Sequence, residues 1–439
     1  MNDKFISDLI AQDLAHIWHP CSQMKECENF PPLPIKRGFG VYLEDFNGDK
    51  YIDCISSWWV NLFGHNHPYI SQKLKEQVDI LEHTIFAGYT YEGIVHFSAR
   101  LIKKLPKDLD KIFYADNGSS AIEVALKMSH HLGLLRGNPK NAFLSLENSY
   151  HGETIGALSV GDVGLYKATY ENILISNIQA PLPLDSSAEA VDLALNRFAQ
   201  ILDENEICAF VIEPLVQCAG EMRMHSAEFV NRACKMARER GIYVIFDEIA
   251  VGFGRSGAMF ALEICDFVPD FLCLSKGITG GYLPLSAVVT SNEIYGEFLG
   301  DINRAFLHSH SYTGNPLAIA CANAVLDLFE RDNVIEKNRA LSDFIWEQFL
   351  TLSEFKCVRN LRRTGMIFAF EVSGEFDLDG RFSIEVSKMA LKEGLILRPL
   401  GRTIYFMPPY IISKDEVECV VNGIANILKS LDSLQNTRI

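Results

Sequence analysis

The chain has 439 residues, 48% hydrophobic and 22% charged, which is the composition of a folded globular protein and excludes extended disorder. This length predicts roughly two to three domains. The formal net charge is −16 and no segment is rich in lysine or arginine, so nucleic acid is not expected as a partner.

Strand-like and helical patterns alternate from about residue 111 to residue 289. A helix bounded by the N-cap Ser226 and by Gly241 is predicted in this region. Because near-continuous apolar strands alternate with helices, we predict an α/β domain with a mostly parallel sheet covered on both faces. The predicted strands are 112–115, 142–146, 209–212, 242–246 and 271–274.

The pattern changes after about Asn323, where helices and short strands no longer alternate regularly. A capping box at 413–416 opens a last helix, and the whole stretch predicts a smaller α+β domain. The other predicted elements are an amphipathic segment at 334–352, strands at 366–372, 395–398 and 403–406, and a helix at 383–392. We therefore predict an N-terminal segment (1–60) that packs with the small domain, a large domain (61–322) and the small domain (323–439).

The cysteines and the N-terminus bear on the compartment. The 11 cysteines contain no Cys-x-x-Cys pair, and several lie in apolar stretches, as reduced core thiols do. No signal-peptide core follows Met1, and no apolar run of about 18 residues occurs. We expect a cytoplasmic protein without a membrane partner.

A turn of small polar residues, 116–120, lies between a predicted strand and a predicted helix. Gly118 permits a tight turn, and the unpaired N–H groups at a helix start attract anions, with the hydroxyl of Ser119 as a further donor. The turn is a candidate phosphate site. Taken alone, a plain helix cap is the simpler interpretation.

Two further candidates follow neighbouring predicted strands. Asp247 and Glu248 lie where α/β proteins bind ligands, although a helix cap or an ion pair explains such acids equally well. Lys276 stands between the apolar strand 271–274 and a glycine-rich loop. A lysine in a dry setting is readily deprotonated and then forms Schiff bases, whereas an ordinary surface lysine is disfavoured by the lack of charged neighbours.

Together these segments meet the needs of one cofactor, pyridoxal 5'-phosphate (PLP). A PLP enzyme needs a lysine that forms a Schiff base, an acid that pairs with the pyridine nitrogen, and a phosphate cradle. Lys276, Asp247 and the 116–120 turn match these three needs, and Tyr150 follows a strand where an aromatic ring would cover the cofactor. The sequence predicts a PLP enzyme.

The segment 247–257, continued to Lys276, resembles the cofactor signature of the class III aminotransferases, and the similarity covers almost the whole chain. Motifs near both ends are similar to those of family members that aminate 8-amino-7-oxononanoate in biotin biosynthesis, with S-adenosylmethionine as the usual amino donor. The resemblance implies PLP fold-type I and a homodimer with shared active sites. These motifs are 16–20, 56–59, 64–68, 397–401 and 407–410.

The resemblance also implies roles for individual residues. Lys276 would be the catalytic residue, which holds PLP and moves the proton, and Asp247 would pair with the ring nitrogen. Tyr150 would stack on the ring and contact the substrate, while Gly118 and Ser119 would hold the phosphate.

Other residues are implied in substrate binding or in the neighbouring subunit's site. Arg398 would bind the carboxylate of the keto acid and Trp58 would line the pocket for its apolar chain. His310 and Ser311 would reach the phosphate of the neighbouring subunit's cofactor, and Ser309 would contact substrate.

Two departures from the family pattern concern the amino donor. Cys21, a candidate substrate contact, stands where the family has a tyrosine. The segment 309–312 reads Ser-His-Ser-Tyr in place of the usual Gly-Pro-Thr-Phe, and resembles relatives that use lysine. Lysine therefore stands as an alternative to S-adenosylmethionine, and another class III ω-aminotransferase is the alternative for the whole reaction.

Single motifs of the sequence also suit two other classes of enzyme. Residues 252–257 match the Gly-x-Gly-x-x-Gly of nicotinamide dehydrogenases, but Asp247 and Glu248 would repel a pyrophosphate and no helical pattern opens at Gly257. Spaced histidine pairs occur at 65/67, 308/310 and 16/19 without a carboxylate or cysteine at a recognised ligand spacing. No metal is predicted.

Overall fold

The computed structural model describes residues 2–376 and 378–435. The chain forms two compact units, the first made of Met1–His67, Leu341–Arg362 and Ile367–Ile439, and the second of Pro68–Ala340 and Arg363–Met366. The domain boundaries given above stay predictions, and the outer ends of the predicted segments (residues 1 and 436–439) lie outside the described residues.

The strands alternate with helices through the middle of the chain. In chain order they are β1 (Ile35–Phe39), β2 (Tyr42–Asp45), β3 (Lys50–Asp53), β4 (Lys111–Ala115), β5 (Ala142–Leu146), β6 (Asn177–Ala180), β7 (Ile207–Ile212), β8 (Val216–Gln217), β9 (Arg223–Met224), β10 (Tyr243–Asp247), β11 (Phe271–Leu274), β12 (Ser286–Thr290), β13 (Val358–Thr364), β14 (Ile367–Val372), β15 (Leu395–Ile396) and β16 (Thr403–Phe406).

The helices are α1 (Asn2–His16), α2 (Ser56–Trp59), α3 (Pro68–Val78), α4 (Glu92–Ile102), α5 (Gly118–Leu135), α6 (Ile155–Ser159), α7 (Gly164–Lys167), α8 (Ala188–Glu204), α9 (Ala227–Glu239), α10 (Ala261–Cys265), α11 (Asn292–Glu297), α12 (Pro316–Asp332), α13 (Val334–Leu350), α14 (Phe382–Lys392) and α15 (Lys414–Gln435). Short 3-10 helices cover Met24–Glu28, Ala168–Ile173, Lys276–Thr279, Ile302–Arg304 and Thr351–Glu354. No helix within 2–376 or 378–435 is both long enough and apolar enough to cross a membrane.

The second unit is built on a seven-stranded sheet in the order β4-β12-β11-β10-β7-β5-β6. Strands β11, β10, β7, β5 and β6 run parallel, while β12 pairs antiparallel with both β11 and β4. Every residue of β7 is buried, as expected for a parallel strand that is covered on both faces. The predicted α/β class and mostly parallel sheet are confirmed.

Local signals placed most of the elements. The Ser226 side chain accepts a hydrogen bond from Phe229 N at 3.2 Å and so caps α9 as predicted. The capping box at 413–416 is also present, because Ser413 N donates to Glu416 and Glu416 N donates to Ser413 Oγ. The predicted strand 395–398 ends early at Ile396, shortly before Pro399, which has no N–H to donate to a ladder.

The first unit joins the two ends of the chain in one sheet. Its four strands lie in the order β1-β2-β3-β15, and β15 pairs parallel with β3 through Leu395–Ile52 and Ile396–Asp53. A second sheet has the order β13-β14-β16. This pairing places segments that are distant in sequence beside one another at the end of β3.

Candidate active site

The carboxyl ends of several strands of the second unit meet at one edge of its sheet. Strand β4 runs in the same direction as β11, since both pair antiparallel with β12, and β5, β7 and β10 share this direction. The residues that end or follow these strands at that edge are Gly118 and Ser119, Tyr150, Glu213, Asp247 and Lys276. Ligands bind at this edge in open α/β sheets.

Asp247 ends β10 as a buried carboxylate, 5% exposed. Its Oδ2 lies 2.8 Å from Nδ1 of His151, and its Oδ1 accepts a hydrogen bond from Ile249 N at 3.1 Å. His151 is buried as well, and its Nε2 has no hydrogen-bond partner among the described residues. A carboxylate held in this way keeps a fixed orientation.

His151 was not among the predicted site residues. It follows Tyr150 directly in the sequence, but nothing in the local pattern ties it to Asp247, which lies nearly a hundred positions away. The signal that would have found it is chemical: a buried carboxylate at a strand end needs a donor.

Glu213 is a second buried acid that sequence reasoning missed. It follows β7, and its two carboxylate oxygens accept hydrogen bonds from Tyr150 N and Cys218 N, each at 3.0 Å. Burial raises the pKa of Glu213 to about 7, and the nearby charge of Asp247 adds to this, against the opposing effects of His151 and the two N–H donors. Glu213 anchors the backbone of Tyr150 beside Asp247.

Lys276 follows β11 and adopts a left-handed backbone, with φ of 43°. Such a conformation is unfavourable for a residue with a Cβ and is concentrated at functional sites. Burial lowers the pKa of the Lys276 ammonium, while Asp247, Cys218 and Glu213 act in the opposite direction. Lowering the pKa increases the fraction of free amine, which is the nucleophilic form.

The 116–120 turn forms the N-terminus of α5. Asn117 is its N-cap, with Oδ1 accepting from Ser120 N at 3.0 Å, so the plain helix cap is present, and the phosphate site stays a prediction. A Cβ on Gly118 would stand 3.1 Å from the side chain of Ile249, closer than most real contacts. The helix start therefore packs tightly on the loop after β10.

The loop after β5 approaches this helix start closely. Gly152 has φ of +126°, and a Cβ there would overlap the side chain of Ser119. Ser119 Oγ accepts a hydrogen bond from Glu153 N at 3.3 Å, and the Tyr150 hydroxyl donates to Glu153 at 3.0 Å. Only glycine permits this approach, which brings Tyr150 and Ser119 to one place.

Glu248 has a different role from its neighbour Asp247. Its carboxylate accepts hydrogen bonds from Ala261 N at 2.6 Å and Leu262 N at 2.7 Å, and so caps α10. Burial raises the pKa of Glu248 to about 8 despite these two bonds. The helix-cap interpretation thus holds for the second acid.

The segment 309–312 lies near the same edge of the sheet. Ser309 and Ser311 are exposed, and His310 Nε2 lies 3.9 Å from Asp116 Oδ1, two residues before Gly118. The His310 N–H donates to Thr313 Oγ1 at 3.2 Å. The predicted role of this segment in a neighbouring subunit stays a prediction.

In the first unit the structure brings Cys21, Trp58 and Arg398 together. Arg398 Nη2 donates a hydrogen bond to the carbonyl oxygen of Cys21 at 3.1 Å. The guanidinium carbon lies 5.0 Å from the centroid of the Trp58 ring, and Trp58 is 39% exposed. An exposed guanidinium beside an aromatic face suits a carboxylate that is joined to an apolar chain.

The glycine-rich segment 252–257 does not have the context of a dinucleotide fingerprint. It forms turns, and α10 begins only at Ala261, well after Gly257. The pyrophosphate site of a dehydrogenase requires glycines that open a helix directly after a strand.

The sequence profile of the family Aminotransferase class-III matches residues 23–428. The chain belongs to the class III aminotransferases. The predicted family and the predicted enzyme class are confirmed.

Several known proteins are similar to this chain over nearly its whole length. A Helicobacter pylori protein, adenosylmethionine-8-amino-7-oxononanoate aminotransferase, is 54% identical over 438 residues, which are 98% of this chain and 99% of that protein. The crystal structure of the enzyme of the same name from Methanocaldococcus jannaschii has a TM-score of 0.92 at 32% identity and covers 97% of this chain and 99% of its own. A PLP-bound amine transaminase from an uncultivated Pseudomonas species has a TM-score of 0.88 at 28% identity and covers 95% and 99%. The predicted fold type is confirmed.

Class III aminotransferases depend on PLP, and the residues at the sheet edge fit this cofactor. A buried, oriented carboxylate (Asp247) suits the pyridine nitrogen, and an amine with a lowered pKa (Lys276) suits the aldehyde. The helix start at Gly118, where a Cβ would press on Ile249, leaves N–H groups for a phosphate. The PLP prediction is confirmed, and the roles of single residues stay predictions.

Proposed function

We propose that this chain transfers an amino group to 8-amino-7-oxononanoate and so makes 7,8-diaminononanoate for biotin biosynthesis, with S-adenosylmethionine as donor. The observation that carries the proposal is the 54% identity, over 98% of the chain, to a protein that is named for this donor and this acceptor. The pairing of Trp58 with Arg398 supports the acceptor, because it offers an apolar face and a carboxylate ligand side by side.

Three residues carry the chemistry at the sheet edge. Bound PLP supplies a carbonyl for the donor's amine and a ring that accepts electrons when a carbon–hydrogen bond breaks. Lys276 Nζ holds the cofactor and then takes and returns a proton, which its lowered pKa favours. Asp247 pairs with the ring nitrogen, and His151 fixes the carboxylate by its 2.8 Å contact.

Binding residues orient the cofactor and the acceptor. Gly118 and Ser119 hold the phosphate with backbone N–H groups and a hydroxyl at the start of α5. Tyr150 covers the ring face and contacts the substrate, and its backbone is fixed by Glu213. Arg398 binds the acceptor carboxylate beside Trp58.

Lysine is the second candidate donor. Its support is the segment 309–312, with a sequence unlike the usual Gly-Pro-Thr-Phe, and the exposed Cys21 in place of a tyrosine. The test is the donor half-reaction alone: each donor is mixed with PLP-loaded enzyme, and the visible absorption of the cofactor is followed. Loss of that absorption with S-adenosylmethionine supports the proposal, whereas loss with lysine and not with S-adenosylmethionine would make lysine the donor.

Cys21→Tyr should improve use of S-adenosylmethionine if the family geometry is kept.

We further propose a cytoplasmic homodimer in which Ser309, His310 and Ser311 complete the site of the neighbouring subunit. Analytical sedimentation measures the oligomeric state. Mixing two inactive variants tests whether the active sites are shared between subunits. Lys276→Ala and His310→Ala homodimers each lack one part of every site, but a mixed dimer holds one site with both parts intact. If activity recovers when the two variants exchange subunits, the site is shared. If the subunits exchange and activity does not recover, the shared site is contradicted.

A further inference from the structure

Helix α2 is a single left-handed turn made of four residues that all carry side chains. Ser56, Ser57, Trp58 and Trp59 have φ values of 50°, 45°, 71° and 73°. Trp59 N donates to Ile55 O at 2.8 Å, as in a helix. Left-handed turns are unfavourable for residues that have a Cβ, so the surrounding structure has to hold this one in place.

The carboxylate of Asp53, which is fully buried, holds the start of this turn. Its Oδ1 accepts hydrogen bonds from Ser57 N at 3.0 Å and Ile55 N at 3.3 Å, and its Oδ2 accepts from Ser57 Oγ at 2.7 Å. Burial alone would raise the pKa of Asp53, but the hydrogen bonds from His65 and Ser57 hold it below its usual value. Asp53 is therefore an ionised acceptor.

His65 supplies a further donor to the same carboxylate. Its Nε2 lies 2.9 Å from Asp53 Oδ2, and its Nδ1 lies 3.1 Å from Nδ2 of Asn61, which donates. Since Nδ1 accepts, the ring proton is on Nε2 and points to Asp53. The contact between Asp53 and His65 thus links the chain before the turn to the chain after it.

The two tryptophans of the turn lie in different environments, one buried and one partly exposed. Trp59 is 3% exposed and its Nε1 donates to the Tyr405 hydroxyl at 3.2 Å, whereas Trp58 is 39% exposed. Ser56 Oγ fixes the turn to Met407 O at 2.7 Å. With the turn anchored, Trp58 faces the Arg398 guanidinium at 5.0 Å.

We propose that Asp53 and His65 are positioning residues that hold the left-handed turn and thereby set the affinity for the keto-acid acceptor through Trp58. The inference rests on the proposed function, since it assigns Trp58 to the acceptor. The donor half-reaction is expected to change little, because the pair acts through Trp58, which is assigned to the acceptor.

The first arm of the test measures geometry without substrate. The full-length PLP-loaded enzyme is labelled with 5-fluorotryptophan, and the fluorine resonance of Trp58 is assigned by its loss in Trp58→Phe. Asp53→Asn removes the ionised acceptor and should shift or broaden this resonance. Asp45→Asn is the matched control, because Asp45 is a buried carboxylate of the same unit that accepts from Asn47 N and Asp49 N in another turn. It should leave the Trp58 resonance in place.

The second arm measures the two half-reactions. Asp53→Asn should raise KM for 8-amino-7-oxononanoate about tenfold or more while the donor half-reaction changes less than threefold. If Asp53 only stabilised the fold, Asp53→Asn would lower the melting temperature and slow both half-reactions alike. The control Asp45→Asn is expected to show that general pattern. His65→Gln keeps a donor for Asp53 and should be milder than His65→Ala. If Asp53→Asn does not fold, Ser57→Ala replaces it in the test, because this variant removes only the hydroxyl that donates to Asp53.

The outcomes separate two failures. An unmoved Trp58 resonance in Asp53→Asn and His65→Ala overturns the positioning role. A moved resonance with an unchanged acceptor KM overturns the link to the acceptor and counts against Trp58 in the proposed acceptor site. The aminotransferase reaction itself is tested separately, through Lys276.

Discussion

Lys276 combines a left-handed backbone with an amine whose pKa burial lowers. Lys276→Ala should reduce turnover by at least about 1000-fold, because general acid–base catalysis by one group commonly contributes 10²–10⁴-fold and this lysine also holds the cofactor. Steady-state rates measure the loss, and circular dichroism and sedimentation report the fold. Lys235→Ala, on the exposed side of α9, is the control. Turnover near that of the wild type in Lys276→Ala would remove the assignment.

The Asp247 carboxylate is oriented by His151 and by Ile249 N. Asp247→Asn should still bind PLP yet lose most of its rate, roughly 100-fold or more, because a neutral amide cannot stabilise a proton on the ring nitrogen. Cofactor binding is measured by absorption and turnover by product formation. Full activity in Asp247→Asn would place another group at the ring nitrogen.

Arg398 presents its guanidinium beside Trp58 and Cys21 O. Arg398→Ala should raise KM for the keto acid about 30-fold or more, since the bound acceptor would shield the exposed guanidinium from water and loss of one partner of such a shielded ion pair costs about 2–5 kcal/mol. The donor half-reaction should change little. Arg398→Lys keeps the charge but loses the bidentate geometry, and should be intermediate. Equal damage to both half-reactions contradicts the acceptor role.

At the scale of elements, the close approach of the loop after β5 to the start of α5 depends on Gly152. Gly152→Ala should raise the Kd for PLP by about fivefold or more, because the added Cβ displaces Ser119 and one hydrogen bond is worth about 1 kcal/mol. The Kd is measured by titrating the PLP-free enzyme. Gly241→Ala is the control: it has φ of +66° but open space, so it should lower stability without changing PLP affinity.

At the same scale, adjacent acids at the end of β10 serve two elements. Asp247 faces His151, while Glu248 turns to the start of α10 and accepts two N–H groups that would otherwise be unpaired. Successive residues of an extended strand point to opposite sides, so a pair of acids divides between a site and a cap.

For the whole molecule, His225 predicts part of the response of stability to acid. It is 9% exposed, and burial lowers its pKa from 6.5 to about 4 against a hydrogen bond to Glu213 O. His225 takes up a proton near pH 6.5 in the unfolded chain and only near pH 4 in the folded chain. The contribution of the neutral histidine to the free energy of unfolding is therefore fully present above pH 6.5 and is lost as the pH falls from 6.5 to 4. The shift corresponds to about 3 kcal/mol.

His225→Gln should flatten the fall of the unfolding free energy between about pH 6.5 and pH 4, because glutamine stays neutral and can donate to Glu213 O. Denaturant unfolding at a series of pH values measures it. His96→Gln, an exposed histidine on α4, should leave the curve unchanged. A variant curve as steep as that of the wild type would mean that other groups govern the acid response.

Much of the fold and of the chemistry was open to prediction from the sequence by itself. Strand and helix alternation, the cap at Ser226 and the box at 413–416 are short-range signals, since hydrophobic periodicity and capping act within a few residues. The predictions for Lys276 and Asp247 rest on a short-range signal too, polar residues at the ends of apolar strands.

Tertiary structure alone decided which side chains complete the site. His151 meets Asp247, and Glu213 holds Tyr150 N, across long stretches of chain that no local pattern links. The left-handed turn at Ser56–Trp59 was also beyond prediction. Local preference opposes it by roughly 1–2 kcal/mol per residue, so contacts from distant parts of the chain have to hold it, among them the hydrogen bonds of Ser56 to Met407 O and of Trp59 to Tyr405.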